Sequence, residues 1–249
     1  MARKRDIRLP APYLKKVWLD TALVEQPENY PFCLPLFSKG FEQDFAVPIT
    51  IIVGENGSGK STLLEGVAAV AGFDQAGGGS GYRPMDHSRS IERSGADLAS
   101  VLKASWLPKI SQGWFFRAET FFSVARYLDE AGSRSADFLS YSHGEGFLRF
   151  FDERCDRQGV YIFDEPESAL SPARQMEFLK ILMRINQAGT GQVIMATHSP
   201  ILMACPGAAL LRLDKYGLYP TTLEDTDHFR LMREFCRDPQ GFVAMMMED

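Results

Sequence analysis

Cysteine is sparse in this chain. Four occur in 249 residues, at Cys33, Cys155, Cys205 and Cys236, and none forms a CxxC pair. That spacing offers neither a zinc-ligand pair nor a disulfide framework, so free thiols in a reducing compartment are expected. An excess of positive charge is also missing. The chain carries 27 Lys and Arg against 32 Asp and Glu, a net charge of -5. As a whole it has no electrostatic footprint for nucleic acid, although "ARKR" at residues 2–5 is a short basic stretch. Long apolar runs are absent as well. The best one, "ILMACPGAALL" (201–211), is broken by Pro206 and Gly207, well short of the ~18–20 residues of a membrane span. The amino-terminal "DIRLPAPYLKK" holds no continuous apolar core of a signal peptide. No internal repeat or heptad array is present. A soluble, cytoplasmic protein with no membrane insertion is expected.

What is present is an ordinary globular composition, 45% hydrophobic and 24% charged, with enough length to bury a core. Three apolar runs read as buried parallel strands, and each ends in polar residues. "ITIIV" (49–53) runs into "GENGSGKS", "GVYIF" (159–163) into "DEPE", and "QVIMA" (192–196) into "THSP". Polar groups at the carboxyl ends of such strands mark the ligand-binding edge of an open α/β sheet. Helices are expected between them, at 60–72 and 171–189, the second opened by a Ser171 cap and Pro172. "GWFFR" (113–117) reads as a further strand. Residues 73–112, rich in glycine, serine and charge, read as a loop. The C-terminal part reads as two helices split at Pro239.

The stretch "GENGSGKS" matches GxxxxGK[ST] directly after a strand and opening a helix. Glycine lets such a loop fold tightly, so that backbone N–H groups point at phosphate oxygens, and the helix N-terminus adds its positive end. Gly54, Glu55, Asn56, Gly57, Ser58, Gly59, Lys60, Ser61 and Thr62 are the candidate nucleotide-binding residues. Lys60 reaches the terminal phosphates and the Ser61 hydroxyl ligates Mg²⁺ in this reading. At the end of the second strand, Asp164 and Glu165 are adjacent, which sends their side chains to different sides of the backbone. Asp164 suits the magnesium shell, through water, and Glu165 suits a general base for the attacking water. His198, after the third strand, shares that edge. The stretch "YSHGEGF" (141–147) also looks chemical, but a Ser–His nucleophile lacks a third orienting group, and one histidine with one glutamate makes a poor metal site.

The ordered set "GENGSGKS", "SHGE", "YIFDEPESALS" and "ATHSP" resembles the ABC-type ATPase superfamily, and more closely the stand-alone, SMC-like AAA-family ATPases of bacteria. The likeness runs from about residue 45 to residue 240. It implies an α/β P-loop NTPase fold: a mostly parallel core sheet flanked by helices, an N-terminal antiparallel β part and a small helical lobe. It implies a RecA-like lobe at about 1–72 and 159–249, with a small lobe and insertion at 73–158. It implies ATP and Mg²⁺, hydrolysis by Glu165, His198 and Lys60, and an ATP-induced head-to-tail homodimer. In that dimer Ser142, His143, Gly144 and Glu145 touch the partner's ATP as a trans signature, and Ser168, Ala169, Leu170 and Ser171 form the interface D-loop. Glu119 stands where the superfamily has a glutamine, as a possible further metal ligand. Phe32, Phe37 and Phe41 are candidates for stacking on adenine. Only 23 positions separate Glu119 from Ser142, too few for a long coiled coil or a large transporter subdomain. A bare head acting on a separate effector protein or on DNA is therefore expected. A nucleotide-gated module holding a toxin or other effector is the alternative, and a transporter subunit the third reading.

Overall fold

A computed structural model describes residues 9–75, 77–79, 94–118, 143–155 and 157–247. In chain order the strands are β1 (Leu14–Leu19), β2 (Glu42–Asp44), β3 (Ile49–Val53), β4 (Gly78–Gly79), β5 (Leu102–Trp106), β6 (Gly113–Arg117), β7 (Gly159–Asp164), β8 (Gly191–Ala196), β9 (Ala209–Asp214) and β10 (Gly217–Pro220). The helices are α1 (Pro35–Ser38), α2 (Lys60–Ala71), α3 (Ser94–Val101), α4 (His143–Arg154), α5 (Pro172–Ala188), α6 (Pro200–Met203), α7 (Asp227–Arg237) and α8 (Pro239–Met246).

Seven strands form one sheet in the order β10-β9-β3-β8-β7-β6-β4. Its centre, from β9 to β6, is parallel, and both edge strands run antiparallel. Strands β3, β7 and β8 are buried along their whole length. This is why they read as continuous apolar runs: helices cover both faces of a parallel sheet. A second, antiparallel sheet has the order β2-β1-β5. The fold is thus the expected α/β P-loop ATPase architecture with an antiparallel N-terminal part.

The two sheets are stitched by one side chain. Gln192, fully buried on β8, accepts from the backbone N–H of Tyr13 and of Leu14, both at 2.8 Å, and donates to Leu14 O at 2.9 Å. A buried amide that fills its acceptor and one donor in this way satisfies backbone groups the sheet edge leaves open.

Residues 73–112 are not all loop. Ser94–Val101 is helical and Leu102–Trp106 pairs antiparallel with β1. The glycine- and serine-rich composition upstream obscures a short apolar pattern, Leu98, Val101 and Leu102, all buried. Gly66 on α2 makes the packing possible, since a Cβ there would lie 2.7 Å from Leu98 Cδ2. By contrast α5 opens and closes as read from sequence, with Ser171 Oγ accepting from Arg174 N.

One face of the main sheet packs on α4 and α5 through phenylalanines. Phe151, 0% exposed, meets Phe147, Phe116 and Phe163 at centroid distances of 4.0, 4.3 and 5.0 Å, all near-perpendicular. Edge-to-face pairs add to the area they bury. Phe151→Ala is expected to lower unfolding free energy by about 3–5 kcal/mol. The check is the chemical-denaturation midpoint, which falls with little change in slope.

Candidate functional site

The carboxyl ends of β3, β7 and β8 converge on one edge, where the loop of residues 54–59 joins β3 to α2. Gly59 caps α2 with φ 99°, a left-handed conformation that suits glycine, and Gly57 has φ 75°. Lys60, 4% exposed, folds back so that its Nζ donates to Gly54 O at 2.8 Å and Glu55 O at 3.0 Å. Burial lowers its pKa, while the carboxylates of Glu165, Asp164, Glu55 and Glu167 pull it back up. Ser58 Oγ and His198 Nε2 are buried without a hydrogen-bond partner among the described residues. Orphaned polar atoms beside an ammonium and a helix N-terminus fit an anionic, oxygen-rich ligand. Next to them, Thr62 Oγ1 lies 2.5 Å from the Tyr30 hydroxyl.

Asp164, at the end of β7, is 6% exposed and accepts from Ser61 Oγ at 3.0 Å. The register of β6 with β7 places Arg117 opposite it. Arg117 Nε lies 3.6 Å from Asp164 Oδ2, and its Nη1 donates to Glu65 Oε1 at 2.6 Å. Burial pushes the Asp164 carboxyl up to about 6, against the pull of Arg117 and the Ser61 hydrogen bond. Ser61 and Asp164 are thus together, as a magnesium shell requires, and a divalent cation there would relieve the cost of the buried charge.

Glu165 has φ 48°, ψ 55°, and is the sole non-glycine residue with positive φ among the described residues. Strain of this kind costs about 1–3 kcal/mol and gathers at functional sites. The Glu165 Oε1 lies 3.4 Å from His198 Nε2. His198 itself is braced by Glu167, which accepts from His198 N at 2.6 Å and from Thr197 Oγ1 at 2.7 Å. Burial raises the Glu167 pKa, and those two bonds oppose it. Burial, then the Lys60 ammonium, lowers that of His198.

The proposed D-loop residues follow directly. Ser168 and Ala169 lie in a 3-10 turn, Leu170 is buried, and Ser171 caps α5. Gln175 ties this turn to the histidine loop, donating to Leu170 O at 3.0 Å and accepting from Ser199 Oγ at 2.5 Å. Ser142 and Glu119 lie outside the described residues. His143 and Gly144 begin α4, and Glu145 is ion-paired with Arg174 of α5 in its own chain.

Phe37 and Phe41 are not available for stacking: both are buried core residues, edge-to-face at 5.6 Å, and α1, which carries Phe37, lies against β9 and β10. Phe32 packs partly buried against the same core. Tyr30, half exposed beside Thr62, was not singled out from the sequence, nor were Glu65, Arg117 and His228. Arg117 left one sign, a basic residue ending an aromatic strand; the others left none.

This topology and edge are those of an α/β P-loop fold, with the phosphate loop, the acidic strand end and the histidine loop on one side of the sheet. Residues 35–104 match the family model described as "AAA domain". Residues 138–204 match the one described as "AAA domain, putative AbiEii toxin, Type IV TA system". The chain is 25% identical over 175 residues to the molybdate import ATP-binding protein MolC of Haemophilus influenzae, covering 67% of this chain and 68% of that one. Among solved structures it is similar to the SMC head domain from Thermotoga maritima, at 16% identity and TM-score 0.47, over 85% of this chain and 99% of that one. A second is cbiO1 of Clostridium perfringens, at 18% identity and TM-score 0.41, over 95% and 100%. The sequence matches support an AAA/ABC-type ATPase nucleotide-binding domain. No helix among the described residues is long and apolar enough to cross a membrane.

Proposed function

We propose that the chain is an ATP-hydrolysing head that closes head to tail with a second copy around two ATP and acts on a separate partner. The observation that carries this is the meeting of Ser61 with Asp164, and of Glu165 with His198, around Lys60 on one sheet edge. In this reading the backbone of residues 54–59 holds the phosphates and Lys60 leaves its own loop carbonyls for them. Thr62 and Tyr30 mark the nucleoside side. Ser61 and, through water, Asp164 hold Mg²⁺, with Glu119 as a further candidate. Bound magnesium supplies positive charge against the phosphate oxygens. Glu165 takes a proton from the attacking water, and His198 donates its Nε2–H to a terminal phosphate oxygen.

The larger lobe comprises about residues 1–72 and 159–249. Residues 73–158 supply the smaller lobe and insertion, of which β4 and β6 join the main sheet, α4 packs on its face and Ser94–Trp106 packs back beside β1 and α2. Ser142, His143 and Gly144 approach the second copy's ATP, and Ser168–Ser171 line the interface. The partner is an effector protein or DNA, and the protein works in the cytoplasm. The wild-type chain with ATP and Mg²⁺ is expected to release phosphate at a steady, slow rate that chelation with EDTA abolishes. Phosphate release at the EDTA background in both arms sinks the hydrolysis reading. In that event the alternative stands: a module that grips an effector while ATP is bound. The importer reading takes support from the named curated relative, and it requires a membrane-protein partner in co-purification.

A further inference from the structure

His228 lies in the first turn of α7, and nothing in the ATPase reading uses it. Its Nε2 is 2.8 Å from Nδ1 of His198, with ring centroids 4.9 Å apart. Its helix is well anchored. Thr226, 2% exposed, caps α7 by accepting from Phe229 N and donates to Leu223 O at 2.7 Å. The neighbouring Asp227 accepts from Arg212 Nη2 at 2.6 Å, at the end of β9. His228 also lines a cleft of about 550 Å³ between the phosphate loop, the β9–β10 turn and α7.

We propose that His228 is a positioning residue for hydrolysis, holding His198 in the tautomer that carries its proton on Nε2. The proposal rests on the ATPase reading of the same site. The deduction is an accounting of protons. His198 is held neutral by burial and by Lys60, so it has a single ring N–H. Its Nε2 makes no hydrogen bond among the described residues, but the acceptor-only Glu165 carboxylate lies 3.4 Å away, and that negative charge favours the proton on this nitrogen. Nδ1 then carries a lone pair, and a neighbour 2.8 Å away must donate to it. His228 Nε2 is that neighbour, and it is a donor in one of its own neutral tautomers. With the opposite tautomer, His198 turns a lone pair toward Glu165 and toward any phosphate oxygen. The charged groups around the pair come from several elements: Lys60 on α2, Glu55 in the phosphate loop and Glu165 after β7 beside His198, and Asp227 with Arg212 beside His228. The second histidine therefore makes the start of the C-terminal helix pair part of the catalytic centre.

The test compares wild type, His228→Phe and His228→Gln in steady-state ATP hydrolysis, with histidine ¹⁵N spectra of the nucleotide-free protein. Support is a fall in kcat of about tenfold in His228→Phe with KM for ATP within about twofold, and recovery to within about threefold in His228→Gln, whose amide N–H can donate to Nδ1. In wild-type spectra His198 shows a protonated Nε2 and a bare Nδ1, and His228 a protonated Nε2. The proposal is overturned if His228→Phe turns over like wild type, if His228→Gln is as impaired as His228→Phe, or if His198 is protonated on Nδ1. With four histidines in the chain, substitution assigns the spectrum. The spectral arm needs no turnover, so a wild type without ATPase activity fails the previous section while the histidine pair is still judged by its tautomers.

Discussion

Glu165→Gln is expected to cut ATP hydrolysis by about a hundredfold or more and to leave the protein as a stable dimer when ATP and Mg²⁺ are present. The amide keeps the size and the hydrogen-bonding reach of the carboxylate but cannot take a proton from water. It also removes a negative charge that faces His198 from 3.4 Å and that would repel the terminal phosphate. Binding is therefore preserved or strengthened while the chemical step stops, and closed dimers accumulate. Phosphate release and light scattering on size-exclusion chromatography, with and without ATP, read both effects. A variant that binds ATP but remains monomeric at micromolar concentration removes the two-headed arrangement. The left-handed backbone at Glu165 belongs to both residues equally, so the substitution leaves local strain unchanged and isolates the charge.

Asp164→Asn is expected to abolish magnesium-dependent hydrolysis and yet raise the melting temperature of the nucleotide-free protein. The Asp164 carboxyl is pushed from 3.8 to about 6 by burial, beyond what Arg117 and Ser61 offset. A folded-state pKa above the unfolded value means the charged form is the less favoured one in the fold. The ionised group therefore costs stability above about pH 6, on the order of 2–3 kcal/mol at neutral pH. That cost fades as pH falls through about 6 toward the unfolded value. An asparagine avoids it, still accepts from Ser61, and leaves Arg117 paired with Glu65. Thermal denaturation at pH 7.5 and 5.5 checks the sign: the variant's advantage shrinks at the lower pH. A variant less stable than wild type at both pH values contradicts the picture of a buried charge awaiting a cation.

The central strands, their helices and the residues at the strand ends were legible because each rests on local pattern. A parallel strand covered on both faces reads as an unbroken apolar run, and a phosphate loop must put glycine and lysine at fixed offsets. Glu165 and His198 are 33 residues apart in sequence but meet because β7 and β8 are neighbours, which the strand-end positions already implied. Other partners depend on register and on which helix returns to the edge. Arg117 reaches Asp164 only because β6 lies beside β7 in a particular register. His228 reaches His198 only because α7 folds back over the end of β9. The helix and strand at 94–106 were hidden for a different reason: their buried residues are few, and Gly66 on another helix admits them.

Gln192 stands near the start of β8, and His198 lies two residues beyond its end. The first grips the backbone of the amino-terminal sheet, and the second faces Glu165. Mechanically, β8 is a tie rod about 20 Å long, clamped between β3 and β7. A load applied to the small sheet at Gln192 therefore reaches the histidine loop along hydrogen-bonded strand and not through a surface loop.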